Sequence, residues 1–147
     1  MLGTIIRETI ERGGKVTLQA IAEPKCDYKS PLDVFQASLG HEQKVSASIC
    51  AIYQLAAEEK DFATLSFLKW FLDEQVEEEK NAGEIVATLK LIEEVAAEKG
   101  VAITLTKVED LPEIMRYGVM STPGVVIDGK VVHAGGIPAR AKIAGWL

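Results

Sequence analysis

The sequence predicts an α+β fold in which a long helical hairpin continues into a β-α-β-β-α unit. Two long stretches with helical periodicity, residues 31–59 and about 62–99, are separated only by Lys60-Asp61. After Gly100 the pattern changes to short apolar strands and tight turns. Helices joined by so short a break form a hairpin, and the strands that follow belong to a separate sheet.

Start and stop signals define the helices. Residues 1–12 have helical periodicity and stop at Gly13-Gly14. Ser30-Pro31 supplies an N-cap and a proline at the first helical position of the next helix. The helix that ends before Gly100 is about 58 Å long at 1.5 Å per residue, which suggests that it connects two packing units.

Strand patterns occur on both sides of the hairpin. The segment KVTLQAIA, residues 15–22, alternates in the manner of a strand. After the hairpin we expect the strand VAITLT (101–106), the helix EDLPEIMRYG (109–118), the strands GVVID (124–128) and KVVHA (130–134), and the helix IPARAKIAGWL (137–147). Asp128-Gly129 is typical of a tight turn between the last two strands.

Composition narrows the classes of function. The chain has 147 residues and a formal net charge of −6, which does not favour nucleic acid or an anionic membrane as a partner. No apolar run approaches about 18 residues and no signal peptide precedes the first helix, so we expect a soluble cytoplasmic protein. Cys26 and Cys50 are too far apart for a CxxC pair or a zinc knuckle, and each is expected to be a small apolar residue or a surface thiol.

Polar residues interrupt the apolar seam of the predicted hairpin. Positions spaced alternately by four and three are Thr64, Leu68, Phe71, Gln75, Glu78, Ala82, Ile85, Leu89 and Ile92 on the long helix, and Phe35, Leu39, Glu42, Ser46, Ile49, Tyr53 and Ala56 on the preceding helix. A turn near residues 59–60 then places Glu42 opposite Gln75 and Glu78. Carboxylates that face each other need a proton or a cation, and oxygen ligands suit a hard metal ion or iron.

The same residues carry a resemblance. Residues 30–80, with the motifs HEQ and FLxWFLxEQVEEE, resemble the third and fourth helices of a bacterial or archaeal ferritin. The preceding segment, with ERGGKVxLxAI, resembles the end of ferritin's second helix and its long crossover, so that the match covers about residues 1–93. The resemblance implies that Glu42, Gln75 and Glu78 belong to a ferroxidase centre. It also implies that Glu74 and Glu77 belong to an adjacent iron site.

The ferritin resemblance is incomplete. The first two helices of a ferritin supply half of the di-iron ligands, a glutamate from one and a Glu-x-x-His from the other. Met1 stands where that histidine is expected. The sequence therefore favours an inherited acidic helix without a working site, so that no cofactor is required. Binding of iron or another divalent metal is the alternative.

Residues from about 88 onward resemble a small thioredoxin-like, glutaredoxin-like redox protein. The pattern YGVMSTPGVVIDGKVV carries the resemblance, which implies a cis Thr122-Pro123 bond. The family's first strand and its CxxC are absent, so thiol–disulfide exchange is not expected. Residues 15–21, from the same chain or a partner, are the candidate to pair with this sheet. His133 is expected to be a surface or half-buried side chain rather than a ligand.

Two incomplete families that meet within one helix predict a chimera. Residues 1–90 form the ferritin-like hairpin with its crossover, and residues 91–147 form the thioredoxin-like unit, with a shared helix at about 62–99. The leading hypothesis is an engineered, folded scaffold without a dedicated catalytic activity. The alternatives are a homodimer that binds iron or another divalent metal through its hairpins, and residual ferroxidase activity in such a dimer. A homodimer is expected because two helices with wide apolar stripes cannot bury both faces against each other.

Overall fold

The computed structural model describes residues 2–147 and has the predicted α+β character. Met1, which stands at the expected histidine position, lies outside the described residues. The elements in chain order are α1 (Leu2–Glu11), α2 (Pro31–Glu58), α3 (Phe62–Lys99), α4 (Leu111–Tyr117), β1 (Gly124–Ile127), β2 (Lys130–Ala134) and α5 (Arg140–Ala144).

Side-chain caps begin the two long helices at their predicted positions. The backbone N–H of Asp33 donates to the Ser30 hydroxyl over 3.1 Å at the start of α2. At the start of α3, the backbone N–H of Thr64 donates to the Asp61 carboxylate over 3.1 Å. Lys60 has a left-handed φ of 57°, which closes the turn between the helices. The hairpin is therefore bounded by local hydrogen bonds that the sequence encodes directly.

The hairpin has its own apolar core, to which α1 adds. Ile49 of α2 packs on Leu68 and Phe71 of α3, and Ile5 of α1 covers this cluster. Arg12, just after α1, forms a 2.8 Å salt bridge with Asp61. Helix α1 is therefore held near the turn end of the hairpin.

The C-terminal half of α3 belongs to a second core. Ile92 and Val95 pack on Ile143 of α5, the most deeply buried side chain described. Strands β1 and β2 form an antiparallel pair with a register irregularity between Val125 and Val126. The turn between them uses left-handed φ angles at Asp128 (49°) and Gly129 (75°).

Two predicted strands are not strands in the structure. Residues 101–106 and residues 15–22 belong to no sheet, and the described part of the chain contains only the two-stranded sheet β1-β2. The expectation that residues 15–21 pair with the sheet of their own chain is therefore wrong. The physical reason is that alternation of apolar residues defines a strand's faces, whereas a strand also requires a partner for its backbone hydrogen bonds.

The chain exposes more surface than a compact monomer of its size. Its accessible surface is 10390 Å² at a mass of 16.0 kDa, whereas compact monomers of this mass expose about 7,400 Å². Large apolar side chains contribute to the excess, including Leu18, Ile21, Phe62 and Val76. Among the described residues, no helix is long and apolar enough to span a bilayer.

We expect Asp61→Ala to destabilise the hairpin in a pH-dependent manner. Hydrogen bonds from the Thr64 hydroxyl and backbone N–H, together with the Arg12 guanidinium, lower the pKa of Asp61 to about 2. Because the carboxylate is stabilised in the folded state, its contribution is complete above the unfolded pKa near 3.8 and is lost as the pH falls through the folded pKa of about 2. Thermal unfolding of the two proteins should differ at pH 7, and the difference should shrink as the pH falls from about 4 through 2. A difference that is independent of pH would contradict this assignment.

Candidate metal centre

The polar residues in the apolar seam of the hairpin form hydrogen bonds between α2 and α3. Gln75 is only 3% exposed. Its Nε2 lies 3.2 Å from the Glu42 carboxylate, 3.2 Å from the Glu42 carbonyl oxygen and 3.3 Å from the Ser46 hydroxyl. A glutamine is tolerated at this buried position because its amide group donates to acceptors on the facing helix.

Glu79 extends this contact, and the sequence did not predict its role. The Ser46 hydroxyl donates to the Glu79 carboxylate, which is half-buried. One row of buried or half-buried positions on α3 runs Leu68, Phe71, Gln75, Glu79, Ala82 and Val86. These steps average 3.6 residues per turn, the value of a straight helix, whereas the predicted seam used 3.5. A seam defined with a period of 3.6 residues would have included Glu79.

Glu78 does not face Glu42 within the hairpin. Its side chain is exposed, so the expected burial of Glu78 opposite Glu42 is wrong for the single chain. The drift of a straight helix relative to a heptad pattern turns residue 78 out of the seam. Glu77 is exposed and Glu74 is half-buried.

One chain offers an incomplete set of metal ligands. Within residues 2–147, no three His, Cys, Asp or Glu side chains cluster closely enough to hold a metal ion. Glu42 and Gln75 are in contact, while Glu74 and Glu78 lie on an adjoining stripe of α3 at a spacing of four residues. The donor atoms are oxygens, which suits Fe²⁺ or another hard divalent cation, but a single hairpin does not surround one.

The C-terminal residues singled out in the sequence have structural surroundings. Pro123 is buried and follows a cis peptide bond. His133 is half-buried, with Nε2 2.9 Å from the carbonyl oxygen of Gly136. Cys26 and Cys50 are both exposed, and no cysteine follows Cys50 in the chain.

The helical hairpin and its buried Glu42–Gln75 contact define a ferritin-type half-bundle. The family model described as a ferritin-like domain matches residues 2–92. Because this match covers more than half of the chain, the protein belongs to the ferritin-like domain family. A thioredoxin domain model matches residues 81–147, so that the two matches overlap on α3.

Similar proteins support the ferritin assignment of the N-terminal part. A bacterial non-heme ferritin of Staphylococcus aureus (strain USA300) is 46% identical over 69 residues, which are 47% of this chain and 42% of the relative. An open pore ferritin of Archaeoglobus fulgidus superposes with a TM-score of 0.57 at 44% identity, covering 60% of this chain and 54% of that one. A humanized archaeal ferritin gives 0.58 at 36% identity, covering 69% and 66%. The chain thus spans less than half the length of the curated relatives.

We expect Gln75→Glu to destabilise the protein by about 1–3 kcal/mol at neutral pH, because a donor to a partly buried carboxylate becomes a second carboxylate. The loss should shrink as the pH is lowered, because protonation of one of two facing carboxyl groups removes the repulsion. Urea unfolding at several pH values measures the effect. Val76→Glu, which adds the same charge at the exposed neighbouring position, is the control. Equal losses in both variants would mean that the seam contact is unimportant.

Proposed function

We propose that the protein is a homodimer in which two helical hairpins complete a four-helix bundle and bind iron or another divalent metal ion. The observation that carries the proposal is the buried contact between Gln75 and Glu42 in the hairpin seam. It places carboxylate and amide oxygens inside a helical bundle, where burial of charge favours a cation as the neutralising partner. The names of the relatives, which are ferritins, support the same class of ligand.

A stripe on α3 supplies the surface for the second hairpin. Trp70, Glu74 and Glu78 follow one another at intervals of four residues, so they lie along one side of the helix. Trp70 is 55% exposed although it packs edge-on against Phe71, with ring centroids 5.0 Å apart. An exposed tryptophan beside two carboxylates suits an interface that is apolar at one end and holds a cation at the other.

Dimerisation would also complete the ligand set. Each chain contributes Glu42 and Gln75 from the seam and Glu74 and Glu78 from the stripe, with Glu77 beside them. Two copies double the number of oxygen donors around the bundle axis. The surface exposed beyond that of a compact monomer is about 3,000 Å², which exceeds the roughly 800 Å² that each partner buries in a standard interface.

A second candidate function is a fusion scaffold without a dedicated catalytic activity. It is favoured by the overlap of the two family matches on residues 81–92, inside one continuous helix. In this proposal residues 1–90 form the ferritin-like hairpin and residues 91–147 the thioredoxin-like unit. Oxidation of Fe²⁺ in air separates the candidates: a dimer with residual ferroxidase activity accelerates it above the rate in buffer, and a scaffold does not.

We expect Trp70→Glu to shift the protein from dimer to monomer in sedimentation equilibrium at micromolar concentration. The substitution introduces a charge at the apolar end of the proposed interface. Val76→Glu is the matched control, because Val76 is 72% exposed and lies six residues further along α3, about 240° around the helix. A dimer that survives Trp70→Glu, or a wild-type protein that is monomeric, contradicts the hairpin interface. Circular dichroism verifies that both variants retain their helices.

Metal binding should depend on both the seam and the stripe. We expect Glu42→Gln and Glu78→Gln each to weaken binding of Fe²⁺ at least tenfold in anaerobic titration calorimetry, because each removes one anionic ligand per chain. Glu58→Gln, which changes a carboxylate near the hairpin turn that accepts from Gln54, should leave binding unchanged. Equal weakening by all three would indicate a general effect of charge rather than a site.

A further inference from the structure

A cleft in the C-terminal half lies between two segments of the chain that are distant in sequence. Residues 104–108 line one side and residues 122–126 the other, and its volume is about 570 Å³. Ile85, Thr88 and Ile92 of α3 form its floor. The cleft is separate from the Glu42–Gln75 contact, none of whose residues lines it.

Both sides of the cleft present backbone groups that have no ladder partner. Ile103, Leu105 and Lys107 are half-buried and alternate with exposed residues, which is the burial pattern of a strand. Among the described residues, the backbone from 102 to 109 makes no hydrogen bond to other backbone groups. On the opposite side, β1 pairs only with β2, which leaves its other edge free. Unpaired strand edges of this kind are templates for a further strand.

A buried hydroxyl group marks the floor of the cleft. Thr88 is 3% exposed, and its Oγ1 has no hydrogen-bond partner among the described residues. Most buried hydroxyl groups in proteins are hydrogen-bonded. An occupant with a polar side chain that reaches Thr88 would satisfy this group.

The chain also carries a strand-like segment without a partner. Residues 15–22 alternate Val16, Leu18 and Ala20 with Thr17 and Gln19. Leu18 is 72% exposed and Ile21 is 95% exposed. Residues 15–29 make no hydrogen bond with backbone groups elsewhere in the described chain. An apolar segment in this state gains burial and hydrogen bonds by joining a sheet.

Chain length prevents the first half of this segment from reaching the cleft of its own chain. Arg12 is tied to Asp61 at the turn end of the hairpin, whereas Pro31 and Phe35 line the cleft at the opposite end. The 28 residues of α2 separate the two ends by about 42 Å. Leu18 is six residues from Arg12 and reaches at most about 22 Å. The cleft is therefore accessible to Leu18 only from another copy.

We propose that residues 15–22 of a second copy enter this cleft as a strand between residues 103–107 and β1, while the first copy donates its own segment in return. Each chain has one donor segment and one acceptor cleft, so a twofold exchange uses both donor segments and fills both clefts. The contact uses other surfaces than the hairpin interface, and it does not depend on metal binding.

Disulfide trapping between two single-cysteine variants tests the exchange. In a background of Cys26→Ser and Cys50→Ser, one tagged protein carries Gln19→Cys and a differently tagged protein carries Thr104→Cys, both at exposed positions. When they are mixed in a thiol–disulfide buffer, we expect the mixed disulfide to exceed either homodimer several-fold. Leu18→Asp in the Gln19→Cys protein should abolish the excess. Leu55→Asp, an equivalent change at an exposed α2 position, should leave it unchanged.

Hydrogen exchange of the wild-type protein supplies a second readout. Amides of residues 16–20 and 103–106 should be protected together at high protein concentration, and both should lose protection on dilution and in Leu18→Asp. If the Gln19→Cys protein instead formed mainly its own disulfide-linked homodimer, the proposal would be overturned in favour of pairing between two donor segments. An unchanged cross-link or unchanged protection in Leu18→Asp would equally overturn it and leave the cleft to another occupant. Trp70→Glu, which tests the hairpin interface, should not remove the mixed disulfide.

Discussion

One continuous helix, α3, serves two hydrophobic cores. Over its 38 residues it buries Leu68 and Phe71 against α2, and then Ile92 and Val95 against α5. Both halves pack on this helix, since the hairpin core uses its N-terminal turns and the second core uses its C-terminal turns. The apolar side of α3 must therefore follow the 3.6-residue period from one core to the next, and that phase decides which polar side chains are buried between them.

The Gln75 amide contact shows how a polar group can be retained in such a seam. Its hydrogen bonds to Glu42 and Ser46 cross the two helices, so they are formed in only one register of the hairpin. A slip by one turn would leave buried donors and acceptors without partners, which is costly in a low-dielectric interior. The contact thus stabilises the particular pairing of α2 with α3, and its carboxylate and amide oxygens are the donors on which the proposed metal binding rests.

Each half of the single chain leaves surface or backbone groups without a packing or hydrogen-bond partner. The hairpin exposes apolar side chains such as Trp70, while the small sheet leaves the outer edge of β1 and residues 103–107 unpaired. Apolar surface and unpaired backbone both favour association, but they require different partners: a helical face for the first and an extended segment for the second. The chain contains both kinds of partner, which is why a second copy is the occupant proposed in each case.

Features encoded by neighbouring residues were predictable from the sequence. Ser30 and Asp61 cap the long helices, Gly100 ends α3 with a left-handed φ of 65°, and Asp128-Gly129 turns between the two strands. The proximity of Glu42 and Gln75 also followed, because a short turn fixes which positions of two antiparallel helices face each other. In each case the contacts that determine the feature join residues close in sequence or residues that face each other in one hairpin.

The tertiary structure alone decided the features that depend on partners distant in sequence. Glu79 rather than Glu78 meets Ser46, because the 3.6-residue period of an α-helix drifts out of phase with a heptad spacing. Residues 101–106 and 15–22 have the alternation of strands but form none, because a strand needs a neighbour and α1 is anchored at Asp61. Sequence periodicity determines which face of a segment is apolar, whereas the presence of a backbone partner is decided only when the whole chain, or a second copy, is in place.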